Sequence, residues 1–171
     1  MDKKPAFSKV GLAFVIALAI SFLPGCQAQE TELEFETIEK RDWFGSYEDH
    51  RVISDPRLIF IDGEEDIAQL EKLVSPEALD ELDQLDFQQY FAIGLFRDLQ
   101  PSCGYDTLIE RVTWRGDKIF VYGQFWDPNN QMVECAEVKA PYHLVRVQKD
   151  AEIGGEIELV LRSRTITPTP P

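Results

Sequence analysis

Ser102 and His143 are the side chains that could do covalent chemistry, as a hydroxyl nucleophile and the imidazole that takes its proton. The chain has one other histidine, His50. No nucleophile-elbow pattern surrounds Ser102, and the sequence contains no metal-ligand pair or phosphate-binding loop. Asp127, Asn129 and Glu134 lie at spacings close to a calcium loop, but the central glycine and the twelfth-position glutamate are missing. The acids of the second helical segment, which ends at about Leu82, could be taken for a metal cluster, but they read better as a solvated face. A hydrolase is therefore the lesser expectation. The stronger one is a non-enzymatic protein with no catalytic residues, no metal and no cofactor.

The cysteines carry a different chemistry. Lys3, Lys4 and Lys9 precede Val10–Leu23, an uncharged apolar run of fourteen residues. That is short for a membrane span, which takes about 20 residues, and suits the apolar stretch of a signal peptide. The run ends Leu23-Pro24-Gly25-Cys26, which resembles the bacterial lipobox. The resemblance implies that residues 1–25 are removed, that the Cys26 sulfur takes diacylglycerol, and that residues 26–34 form a lipidated tether. It also implies a place in the cell envelope, on the outer side of the cytoplasmic membrane or at the outer membrane, and not in the cytoplasm. Several acyl chains on one residue anchor stably, at about 0.8 kcal/mol per buried CH₂. Three cysteines are present, so Cys103 and Cys135 remain. In an exported domain they are expected to form a disulfide, contributing about 3–4 kcal/mol by loop closure; two free buried thiols are the alternative. They make a poor metal set without a histidine nearby.

The formal net charge is −14, and the part from Cys26 onward has 14 basic and 30 acidic residues, a net of −16. Such a balance argues against nucleic acid as a partner and against lying flat on anionic lipid.

The elements that must position these residues follow from periodicity. Phe35–Ile38 is expected as an edge strand and Leu58–Ile61 as a short buried one. Ile67, Leu70, Leu73 and Val74 share a helical face. Ser75 as N-cap and Pro76 at the first helical position start a second short helix to about Leu82. Tyr90–Phe96 is apolar on both faces, as a central covered strand is. The Pro101–Tyr105 loop, a strand from Thr107, a turn at Arg115-Gly116-Asp117 and the strand Lys118–Trp126 follow, and these three strands are expected to form an antiparallel meander. Met132–Lys139, His143–Lys149 and Ile157–Leu161 are further strands, and residues 163–171 read as a disordered tail. Trp43, Phe44 and Tyr47 could form a binding surface, but the stronger expectation is that they cover an open end of the core. The fold class is α+β: a single domain, residues 35–162, with a mostly antiparallel sheet and one or two short helices on one side.

Several of these pieces, taken together, resemble the C-terminal domain of PrcB-like protease-complex subunits. They are the opening Phe35-Glu36-Thr37-Ile38, the strand Tyr90–Arg97 and the later Pro141-Tyr142-His143-Leu144-Val145. The fourth is Pro101-Ser102-Cys103-Gly104-Tyr105, which matches a Pro-Thr/Ser-Gly-Gly-Tyr turn at four places of five. Cys103 stands where that family has glycine. The resemblance implies an exported module that associates with and stabilises a partner protein, in particular a protease. Pro101, Ser102, Gly104, Tyr105, Tyr142 and His143 are then the candidate partner-binding residues. A protease inhibitor that uses the same Pro101–Tyr105 loop is the alternative.

Overall fold

The computed structural model describes residues 30–42, 56–97, 99–100, 104–128, 139–150 and 158–167. Eight strands form two four-stranded sheets. In chain order they are β1 (Thr31–Leu33), β2 (Phe35–Arg41), β3 (Arg57–Ile61), β4 (Tyr90–Phe96), β5 (Asp106–Arg115), β6 (Lys118–Trp126), β7 (Tyr142–Gln148) and β8 (Glu158–Ile166). The first sheet runs β1-β5-β6-β8, and the second β2-β7-β4-β3. All pairs are antiparallel except β6 with β8, which is parallel. Between β3 and β4 lie α1 (Glu64–Ile67), a 3-10 turn (Ala68–Leu70) and α2 (Pro76–Asp83). The α+β class, the mainly antiparallel pairing and the short helices on one side are as expected.

The second sheet is covered on both faces, which is why β4 is apolar on both. Phe91, Ile93 and Leu95 point into a core shared with Ile109, Val112, Ile119, Val121, Val145 and Val147, between the two sheets. Ala92 and Phe96 point the other way, into a core with Leu70, Val74, Leu82, Tyr142 and Leu144 beneath the helices. Full burial of each such aliphatic or aromatic side chain contributes about 1.5–3 kcal/mol. The sheets approach closely at Gly123, where a Cβ would stand 2.7 Å from Leu95 Cδ2 and 3.3 Å from Leu161 Cδ1.

The local signals hold. Ser75 Oγ accepts from Ala78 N at 3.1 Å, and Pro76 opens α2. Ser75→Ala is expected to lower stability by about 1 kcal/mol, read as a shifted denaturant midpoint with an unchanged slope. Gly116 takes φ 66° in the two-residue turn between Arg115 and Lys118, a conformation that favours glycine.

Three expectations change. The meander is split: β5 and β6 form a hairpin, but β4 pairs with β3 and β7 in the other sheet. Both strands had inward apolar faces, and packing those faces against each other satisfies them as well as edge pairing does. The tether does not extend to residue 34. Leu33 is buried between the sheets, β1 covers the edge of β5, and Gln148 N donates to Glu34 O at 3.0 Å. The tail does not begin at residue 163, since Ser163–Ile166 continue β8 and pair with Gly123–Trp126. The folded part thus exceeds residues 35–162 at both ends. Trp43, Phe44, Tyr47 and most of the strand expected over Met132–Lys139 lie outside the described residues.

Candidate functional site

Cys26, His50, Pro101, Ser102, Cys103, Asn129, Glu134 and Cys135 also lie outside the described residues. The described end of the Pro101–Tyr105 loop sits at the seam of the two sheets. Gly104 has φ 91°, which only glycine adopts without strain. With Tyr105 and Asp106 it lines an open cleft of about 350 Å³, whose opposite wall is Lys40, Arg41 and Asp42 at the end of β2. The Lys40 ammonium meets Asp106 Oδ2 at 2.6 Å and ties β2 to β5 across the seam.

Behind the cleft stands Arg97, at the end of β4 and 9% exposed. Its guanidinium carbon lies 5.2 Å from the centre of the Tyr105 ring and 5.2 Å from that of Phe125, a cation between two aromatic rings. It pairs with Asp127 Oδ1 at 2.7 Å, an ion pair without hydrogen-bond geometry, and donates to the Trp126 carbonyl at 3.3 Å. The sequence marked Arg97 only as the polar end of an apolar strand. Its signal was an arginine directly after six residues of core, too deep to reach bulk water.

Tyr142 and His143 do not join this surface. Tyr142 is fully buried, stacked on Phe96 with centroids 5.3 Å apart. Its hydroxyl donates to Glu39 Oε2, which also accepts from Ser75 N at 3.1 Å. Burial, then the Glu39 carboxylate, push the phenol's pKa well up. His143 is 2% exposed and faces the space between the sheets. Its Nδ1 accepts from Ile109 N at 2.8 Å, so that nitrogen carries no proton. The proton is therefore on Nε2, which donates to Thr37 Oγ1 at 2.9 Å. Each partner adjoins a β-bulge, between Thr37 and Glu39 in β2 and between Ile109 and Arg111 in β5. Burial, and then the Lys40 charge, pull the imidazole down to about 4, against a smaller opposing effect of Asp106. The assignment of both residues to a partner surface is corrected: strand alternation turns one into the helix-side core and the other into the inter-sheet core.

A second cleft, of about 460 Å³, opens on the outer face of the first sheet, and nothing in the sequence reading pointed to it. Arg111, Tyr122 and Arg162 face one another in one row across β5, β6 and β8. The Arg111 guanidinium lies 4.0 Å from the centre of the Tyr122 ring and that of Arg162 lies 5.5 Å away. Tyr122 OH donates to Glu30 Oε2 at 2.7 Å, which holds that carboxyl below its usual range, with Thr113 and Arg162 adding to the effect. Glu110, the extra residue of the β5 bulge, meets Arg164 at 2.6 Å. Gln124 completes the network once its amide is assigned the orientation that satisfies its neighbours, with the nitrogen toward Glu110 Oε1 and the oxygen toward Trp126 Nε1, each at 2.7 Å.

Among the described residues no helix is long and apolar enough to cross a membrane, and no group of three or more His, Cys, Asp or Glu could hold a metal ion. Comparison with protein-family models, curated proteins and solved structures gave no match for this chain.

Proposed function

We propose that the protein is a lipid-anchored, non-enzymatic binding module of the cell envelope, held through Cys26, which presents the Gly104–Tyr105 seam to a partner protein. An exported protease is the partner that the sequence resemblance implies, with stabilisation as the role. The observation that carries the reading is the seam itself. Tyr105 is half-buried, its ring is held by Arg97, and it lines an open cleft with Gly104. A positioned tyrosine in a partly enclosed rim is the kind of residue on which binding energy concentrates. His143 weighs against the hydrolase alternative, because both its ring nitrogens are engaged inside the core.

Crosslinking the full-length protein in its own envelope, followed by mass spectrometry of what is captured, tests this. A secreted or membrane protease is expected as the main partner. Tyr105→Ala is expected to fold normally and to weaken capture by tenfold or more. A folded Tyr105→Ala protein that keeps every partner would end the seam's role. Loss of the protease on deletion would support stabilisation; its hyperactivity would support inhibition through the same loop.

The same reading takes Cys103–Cys135 as a disulfide. Its support is an isolated antiparallel bridge in which Gln100 N donates to Lys139 O at 2.6 Å and Lys139 N to Gln100 O at 3.0 Å. That bridge draws the flanks of both cysteine segments together. The exported protein is expected to be two hydrogens heavier after reduction, by intact-mass measurement; an unchanged mass would mean free thiols.

A further inference from the structure

We infer that the outer face of the first sheet is a second binding site, which takes an extended acidic segment of a partner protein, its carboxylates seated between Arg111 and Arg162 over the Tyr122 ring. The chain has nine arginines, and Arg111, Arg115, Arg162 and Arg164 all stand on this face. The cleft is lined by three arginines and one glutamate, in a chain whose net charge is −14. In physiological salt that overall charge is screened over about 8 Å, so the lining governs what enters. Arginine, unlike lysine, offers carboxylates a planar fork of donors.

The arginines are prepared for such a ligand. Arg41, Arg97, Arg146, Arg162 and Arg164 each face a carboxylate at ion-pair distance. Among the described residues Arg111 and Arg115 do not; they lie over Tyr122 and Phe120 instead. Arg162 meets Glu30 and the Tyr122 hydroxyl through the same nitrogen, and Arg164 meets Glu110 through one. Both guanidinia are thus oriented, with donors left over, and their side chains are 45% and 65% exposed. Arg162 and Arg164 are two residues apart on one face of β8, a spacing of about 7 Å. An extended peptide repeats its side chains on one side at that same interval, which favours a strand-like segment with acids at alternate positions over a compact anion. Trp126, 36% exposed, ends the row of outward residues on β6 and gives the segment an apolar contact.

The test uses the full-length protein in detergent and a fluorescent peptide of alternating Glu and Thr, with an alternating Gln and Thr peptide as the neutral counterpart. The acidic peptide is expected to bind, more weakly as salt rises, and the neutral one not to bind. Arg111→Gln, which removes no ion pair from the fold, is expected to weaken binding about tenfold, and Arg111→Gln with Arg162→Gln further. Arg146→Gln, on the other sheet, is expected to leave it unchanged, and so is Tyr105→Ala, which separates this site from the seam. No binding of the acidic peptide, or binding indifferent to the Arg111 and Arg162 changes in a protein that still melts cooperatively, overturns the proposal. So does displacement of the peptide by inorganic phosphate or by anionic phospholipid vesicles at matched charge, which would make the face a general anion site or a lipid contact.

Discussion

His143→Leu is expected to lower stability by about 2–3 kcal/mol at neutral pH and to flatten its fall in mild acid. Leucine leaves the buried Ile109 N–H without its acceptor, and an unsatisfied buried donor costs about 1–3 kcal/mol. The Thr37 hydroxyl loses its partner as well. The pH dependence follows from the depressed pKa. Below the unfolded value of about 6.5 the unfolded chain takes up a proton that the native imidazole refuses. Stability from this group is therefore complete above pH 6.5, falls as pH drops, and stops falling near pH 4, where the native ring titrates. A shift of this size corresponds to a loss of about 3 kcal/mol. Lys40 adds repulsion to a charged ring and Asp106 offsets part of it. Denaturant unfolding of both proteins from pH 7 to pH 4 is the measurement. An equal slope in the leucine variant over that range would show that His143 is not the group responsible.

Arg97→Met is expected to cost about 3 kcal/mol, because it leaves the Asp127 carboxylate and the Trp126 carbonyl facing an apolar side chain where a cation stood. The Asp127 side chain is 33% exposed, so water relieves part of the penalty and the effect stays below that of a fully buried pair. Arg97→Lys is expected to recover less than half of the loss, since an ammonium cannot lie flat between Tyr105 and Phe125 while reaching both oxygens. Denaturant midpoints of the three proteins decide this. A methionine variant within 1 kcal/mol of the parent would reduce Arg97 to a packing residue.

The parts of the fold legible in the sequence are those set by neighbours along the chain. Ser75-Pro76 starts α2, Gly116 turns the β5–β6 hairpin, and the two apolar faces of β4 announce a strand covered on both sides. Alternation says which side chains point inward but not which strand lies alongside, so the division into two sheets was hidden. β1 and the end of β8 were missed because strands with a solvated face carry few apolar residues: Leu33 alone is buried in β1, and Ser163 and Arg164 read as tail. The seam was half legible, through Gly104 and Tyr105. Parity along β7 also held a usable signal, since His143 shares its face with Val145 and Val147, both core residues. The arginine face was not legible, because its members come from β5 and β8 and meet only through the parallel β6–β8 pairing.

Glu30, held by Tyr122 and Thr113 at the start of the first sheet, sets how far the domain can stand from a lipidated Cys26. Four residue steps reach at most about 14 Å, where a tether running to Phe35 would have reached about 30 Å. Under the anchoring proposed above, the β1 edge is then leashed close to the bilayer, and the body above it has little room to tumble. On that reading, partners would have to come down to the membrane surface to meet it. A few glycines and serines inserted between Ala28 and Gln29 would lengthen the leash and widen the volume it sweeps, while leaving every contact of the sheet in place.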